Sequence, residues 1–399
     1  MIYVIVLFSK KMKLSFRTFN CGAGDCLFIK LRKETDMFHI MVDCGCLKDE
    51  ILSFVKNELG KRIDLMVVTH IDNDHIAGLS MLLEKVPDLQ IGKILFNCYH
   101  RPKKEDTIML SDKQVAALEK LKQRIPLNFA SENGKVSANQ AISLSEKIMK
   151  NSAWTAAWGY DPVVAGNEMN LDGDFGKIVI LSPQQTDLNV LENQFKKEFW
   201  KKFFDNHSRQ YKNDEEIYEV LLRLWETTLI EERITKVSYS KLTKESFVKS
   251  AGTEVVPVSL PNRCSIAFLY EYHGHRILLL GDAAPDIVAD SMKKYIVGET
   301  PFMMDLIKVS HHGSSHSTTK DNIEVADSKH YYFTGGNKEE RPSVETLSRI
   351  ITAPLHGLER RELHFNRKNR VLKDLFAMPE FAEFPCIIDL DNKPYEIEI

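Results

Sequence analysis

Apolar runs of strand length, separated by polar and glycine-bearing turns, recur along most of this chain and alternate with helical stretches. Residues 14–19 alternate as a half-buried strand and lead into the turn Asn20-Cys21-Gly22-Ala23-Gly24-Asp25. Residues 26–31 and 38–42 predict two more strands, the second ending at Asp43-Cys44-Gly45. A helix over 48–59, a buried strand over 63–68, a helix over about 75–85 and a strand over 91–96 come next. The pattern then loosens to about residue 170, with helical pieces at 112–124 and 141–150.

A strand returns at 177–183. Residues 184–250 are charged, aromatic and helical, and read as an insertion within one domain spanning 1–399. Phe195, Phe199 and Phe203 recur every four residues there, the spacing of a buried helix face with lysines on its wet side. Strands follow at 265–272, 276–282, 306–310 and 331–334, with a helix over 285–295 and another from Ser343 to about 351. Residues 362–399 read as closing strands, next to the basic residues Arg360, Arg361, Arg367, Lys368 and Arg370.

With 43% hydrophobic and 27% charged residues, the 399-residue chain is a globular protein with ample core. A net charge of −3 argues against bulk attraction to nucleic acid and leaves room for a local basic groove. Seven cysteines at irregular spacing do not make a disulfide framework, so a reducing cytoplasm is expected. The apolar residues 1–8 are too few to cross a bilayer, and their lysines follow rather than precede them. They read as a first strand, or as leader before an alternative start at Met12. No membrane association is expected.

The chemistry concentrates at Thr69-His70-Ile71-Asp72-Asn73-Asp74-His75, where two imidazoles and two carboxylates follow a buried strand at the start of a helix. Ligand-type side chains converging from such a loop form a divalent-metal cage. Asp43, Asp282 and the pair His311-His312 also stand just beyond predicted strands, where loops of a layered α/β fold meet in one crevice. Two metal ions are then expected, with Asp282 able to bridge them.

His70-x-Asp72-x-Asp74-His75-x-x-Gly78 resembles the signature of the metallo-β-lactamase superfamily, with Asp72 replacing the usual second histidine. Within it the chain looks most like the ComEC/Rec2 group, without that group's membrane channel. The matching segments, in order, are 19–25, 42–45, Leu181-Ser182-Pro183, Asn262-x-x-Ser265, Leu280-Gly281-Asp282-Ala283 and 308–314. The resemblance implies an αββα sandwich of two mixed β-sheets flanked by helices, with the metals at one edge. It implies that His70 and Asp72 bind one metal, that Asp74 and His75 bind the other, and that Asp282 bridges them. One of His311 and His312, with His311 preferred, completes the set. Asp43, Asn262 and Ser265 would orient ligands rather than bind. A carboxylate-rich set suits zinc or manganese, and also magnesium.

Where the group shows His-Pro-Ser, this chain has Arg341-Pro342-Ser343, and arginine holds phosphate but does not donate a proton at neutral pH. His316 and His364 are therefore the candidate proton donors, with Asp74 and Asp282 also counted in the catalytic set. Lys308, Arg341 and Asn337 are the candidate substrate contacts. The function expected is a metal-dependent phosphodiesterase or nuclease. A hydrolase of a small ester, lactone or phosphorylcholine-type compound is the alternative. A non-catalytic metal-binding subunit, docking a protein partner through 184–250, is the third reading.

Overall fold

The computed structural model describes residues 12–97, 144–145, 147–190, 242–298, 300–336 and 341–399. The expectations for 1–8, for the helical piece at 112–124, for the Phe195/Phe199/Phe203 stripe with most of the 184–250 insertion, and for Asn337 lie outside these residues.

Among the described residues fourteen strands make two sheets. The first holds β1 (Met12–Thr18), β2 (Leu27–Lys33), β3 (Asp36–Val42), β4 (Arg62–Val68), β5 (Gln90–Phe96) and β14 (Tyr395–Glu398), in the order β14-β1-β2-β3-β4-β5. The second holds β6 (Glu168–Asn170), β7 (Lys177–Ser182), β8 (Ala267–Tyr272), β9 (His275–Leu279), β10 (Phe302–Lys308), β11 (Ala326–Phe333), β12 (Arg361–Phe365) and β13 (Cys386–Asp389), in the order β13-β12-β11-β10-β9-β8-β7-β6. Both sheets are mixed: β3, β4 and β5 run parallel, as do β9 through β13, and the other pairs are antiparallel.

The near-continuous apolar runs are explained by coverage on both faces. In β8, Phe268 and Tyr270 join Phe16, Ile29, Ile40 and Val67 of the first sheet in the layer between the sheets. Leu269, one residue out of phase, faces the helices Pro285–Tyr295 and Val344–Thr352 with Val288, Leu347 and Ile350. On the far face of the first sheet, Met66 and Val68 pack with Ile76, Leu79 and Leu83 of the helix Asn73–Lys85. The result is a four-layered αββα sandwich.

Parallel strands deliver their C-terminal loops to one edge. Those of β3 and β4 emerge beside those of β9, β10 and β11, and the sheets are tied there by the Ile266 N–H donating to the Thr69 carbonyl at 2.8 Å. Some elements escape the hydrophobic pattern. β10 and β11 begin several residues earlier than their apolar runs: Asp305 interrupts β10 but accepts the Arg276 N–H at 2.6 Å, and Asp327 in β11 is buried but paired with Arg361 at 2.6 Å. The closing region contains a helix, Arg370–Phe376, started by Asn369 accepting the Leu372 N–H at 2.9 Å. Among the described residues no helix is long and apolar enough to cross a membrane, and Cys21, Cys26, Cys44, Cys46, Cys264 and Cys386 form no disulfide.

Candidate metal centre

Asp43 directly follows β3 and takes a left-handed backbone, φ 57°, that turns its carboxylate back toward β4. Its Oδ1 accepts the Thr69 N–H at 2.8 Å, and its Oδ2 accepts the Thr69 hydroxyl at 2.7 Å and lies 2.7 Å from His75 Nδ1. An ionised carboxylate only accepts, so His75 Nδ1 carries a hydrogen here and Nε2 is the nitrogen that can bind a metal once a proton on it is displaced. The same count fixes His70. Thr69 has given its one proton to Asp43, so at 3.0 Å its oxygen accepts from His70 Nδ1, again leaving Nε2 to bind.

Both Nε2 atoms face Asp282. His75 Nε2 lies 3.3 Å from Asp282 Oδ1, and His70 Nε2 lies 3.8 Å from Oδ2 and 3.5 Å from Asp72 Oδ2. Asp72 stands at the N-cap of the helix Asn73–Lys85 in extended conformation, yet its side chain makes no capping hydrogen bond. It turns to the histidine instead. Asp282 is held through its backbone, whose N–H donates to Ser265 Oγ at 3.0 Å.

His312 closes the other side. Its Nδ1–H donates to the Thr334 carbonyl at 2.8 Å, and its Nε2 lies 3.2 Å from Asp74 Oδ2 and 4.0 Å from Asp282 Oδ2. Asp74, His75 and His312 thus form one group, and His70, His75 and Asp282 another. His311 Nε2 lies 3.4 Å from Asp282 Oδ2, but its Nδ1 faces the Asn262 amide nitrogen at 3.3 Å. In that arrangement the amide donates and the hydrogen sits on Nε2, so His311 becomes a ligand only if the Asn262 amide turns over. The geometry favours His312 over His311, the reverse of the preference from the sequence. Both take left-handed φ, 50° and 54°, which aims two consecutive rings into one site.

These residues fit divalent metal. His70 Nε2, His75 Nε2, Asp72 Oδ1 and Asp282 Oδ1 are buried and have no hydrogen-bond partner among the described residues. Such orphaned atoms are costly unless something electropositive joins them. Protons fill that role in part. Burial opposes charge on His75, but the Asp282, Asp43 and Asp74 carboxylates hold its imidazole well above the ordinary value. Against the same pull of burial, Asp25 and Asp282 push His312 up to about 9. Burial and then the nearby Arg341 charge hold His311 well below. Asp282 stays well below the usual carboxylate range because His311, His75 and His312 outweigh its burial.

Several assigned residues lie elsewhere. Lys308, expected at the substrate, is 0% exposed. Its ammonium is paired with Asp25 and donates to the Gly281 carbonyl at 3.0 Å. Lys308 is a buried strut, because the inward face of β10 leaves its long chain nowhere else to end. Arg361 of the expected basic tail is likewise buried against Asp327, bound at 3.1 and 2.6 Å. His364, a candidate proton donor, pairs with Asp389 at 2.8 Å and belongs to a different cluster. His316 is exposed, its backbone N–H 3.5 Å from Ser314 Oγ, and Arg341 is half-buried. Asp25, Thr69 and Thr334 were not singled out individually. Their signal was position: Asp25 lies in the Gly24 turn, Thr69 stands between β4 and His70, and Thr334 directly follows β11.

Residues 20–136 match the family model described as the metallo-beta-lactamase superfamily. No protein with a curated description matches the chain. Among solved structures, a mutant of the CmlA beta-hydroxylase aligns over 96% of this chain at 9% identity and a TM-score of 0.39, and this chain spans 54% of that protein's length. The metallo-beta-lactamase fold protein YhfI from Bacillus subtilis aligns over 90% of this chain and 98% of its own, at 10% identity and a TM-score of 0.38. The match over 20–136 takes in Asp25, Asp43 and the 70–75 cluster, and the two mixed sheets with outer helices are consistent with the sandwich of the metallo-beta-lactamase superfamily.

Proposed function

We propose that this chain is a metal-dependent hydrolase of phosphodiesters, with nucleic acid as its substrate class. One observation carries the hydrolase reading: the buried, unpartnered Nε2 and carboxylate atoms of His70, His75, Asp72 and Asp282 face one another across a few ångströms. His70 and Asp72 would hold one divalent ion and Asp74, His75 and His312 a second, with Asp282 reaching both groups. When bound, such ions supply Lewis acidity and lower the pKa of water toward about 7.

The protein's part is positioning. Asp43 and Thr69 fix the rings of His75 and His70, Thr334 fixes His312, and Ser265 fixes the Asp282 backbone. Arg341, whose charge is felt by His311, brings a guanidinium fork suited to a phosphate. His316, exposed on the loop after His312, is the proposed proton donor to the leaving oxygen. The nucleic-acid substrate rests on the ComEC-like motif order and on Arg341. Burial of Lys308 and Arg361 favours a second reading, an uncharged ester, because it takes two cations away from any substrate backbone.

The test is incubation of the metal-stripped protein with single- and double-stranded DNA, RNA and an uncharged aryl ester, adding manganese, magnesium or zinc. We expect nucleic-acid cleavage that requires metal, falls steeply with salt and disappears in Asp72→Ala and His75→Ala. Turnover of the ester alone, insensitive to salt, would replace the substrate assignment. Absence of turnover on every substrate with full metal occupancy would remove the hydrolase reading.

A further inference from the structure

A second cluster of ligand-type side chains lies on β11 and β12, apart from the groups around Asp282. Parallel pairing sets His330 opposite Glu362 and Tyr332 opposite His364. Tyr331, Phe333, Leu363 and Phe365 fill the helix-side core, so the residues between them point the other way. There His330 and Tyr332 meet Tyr395 of β14, with ring centroids 4.7 and 6.4 Å away.

His330 Nδ1 lies 3.1 Å from His364 Nε2 and 3.6 Å from Glu362 Oε2. Donor atoms on one tetrahedral zinc, with bonds of about 2.0–2.1 Å, stand roughly 3.3 Å apart. The observed separations bracket that value. Two further contacts aim the donors. Asp389 Oδ2, 2.8 Å from His364 Nδ1, takes the ring hydrogen and leaves Nε2 with its lone pair turned to His330. Lys329 engages the other oxygen of Glu362 at 3.0 Å, leaving Oε2 on the histidine side.

We propose that His330, Glu362 and His364 form a zinc site separate from the centre at Asp282. With side chains 14%, 21% and 12% exposed, the three are half-enclosed yet reachable from solvent. Lys329 and Arg360, the latter 3.9 Å from Glu362, offset the charges of Glu362 and Asp389. Selectivity therefore comes from the paired imidazoles rather than from net negative charge, which disfavours magnesium and calcium. A zinc ion here would clamp β11 to β12.

The experiment uses zinc alone as probe on the full chain, in a His75→Ala/Asp282→Ala background that disables the other centre. We expect this background to retain about one zinc per chain after excess metal is removed, and cobalt(II) in its place to show tetrahedral visible absorption. Adding His330→Ala and His364→Ala should abolish both signals, with the fold checked by circular dichroism. Should that variant not fold, Glu362→Gln in the same background should weaken zinc binding about tenfold or more. A background that holds no zinc, or zinc binding unchanged by these substitutions, overturns the proposal and leaves a hydrogen-bonded cluster only. The readout is metal content, so failure here is distinguishable from failure of the hydrolase reading.

Discussion

Asp43 and His75, 32 residues apart in the chain, meet at 2.7 Å, and that contact decides which nitrogen of His75 faces Asp282. Asp43→Asn replaces an oxygen that accepts with a nitrogen that donates, or else breaks the contacts to Thr69. Either outcome favours the wrong tautomer, with hydrogen on Nε2 where the lone pair is needed. We expect Asp43→Asn to weaken metal affinity by about 10–100-fold, measured by competition with a coloured chelator. Unchanged affinity would mean that Asp43 serves the backbone of Thr69 and not the imidazole.

Lys308 separates two assignments cleanly. As a buried partner of Asp25 it stabilises the fold, and Lys308→Met leaves an ionised carboxylate enclosed with one cation fewer. Breaking a buried pair from one side costs about 3–5 kcal/mol, and Lys308→Met/Asp25→Asn should recover much of it. Denaturant unfolding measures both. A raised KM with unchanged stability would return Lys308 to the substrate.

Strand order along the chain was legible because both sheets are covered on both faces, which makes β4, β8 and β9 stand out as apolar runs. The 70–75 cluster, Asp282 and the histidine pair were legible for a related reason: polar residues directly after a buried strand have few structural excuses. The fate of Lys308 and Arg361 was not legible. A lysine ending an apolar strand reads as a surface charge, and only the arrival of Asp25 from a distant turn makes its burial tolerable. The choice between His311 and His312 was hidden as well, since it depends on left-handed turns and on what each Nδ1 meets.

Gly24 and Gly45 give a prediction of their own. A Cβ on Gly24 would lie 1.9 Å from the Asp74 carbonyl oxygen, and one on Gly45 would lie 2.0 Å from it. These are backbone clashes that no rotamer relieves, at a carbonyl that also accepts the Asp25 N–H at 3.0 Å. Gly24→Ala and Gly45→Ala should each cost about 1–3 kcal/mol and push Asp74 away from His312. Gly22→Ala is the control, because Gly22 has a left-handed φ of 71° but nothing within 4 Å of its Cβ position. It should lose stability through backbone strain alone and keep full metal binding. Equal metal content in all three variants would show that the Asp74 loop is not fixed by this packing.

The protons held at the centre make stability depend on pH, with opposite signs at the two ends. His312 has a folded pKa of about 9 against an ordinary value of 6.5, and His75 is raised as well. A raised base contributes stability that is full below about 6.5 and is lost as pH climbs through the folded value. Asp282 and Asp74 are held below the usual carboxylate range, so their contribution is present above about 3.9 and is lost as pH falls beneath it. The chelator-treated protein should therefore lose thermal stability between about pH 6.5 and 9.5. The metal-loaded protein should lose less there, because the cations replace those protons and favour deprotonated rings. Thermal unfolding across about pH 2–10, with and without zinc or manganese, checks both limbs. A metal-free melting temperature that stays level from pH 6.5 to 9.5 would mean that the imidazoles of His75 and His312 are not charged in the folded chain, and the carboxylates around them would then need another counterion.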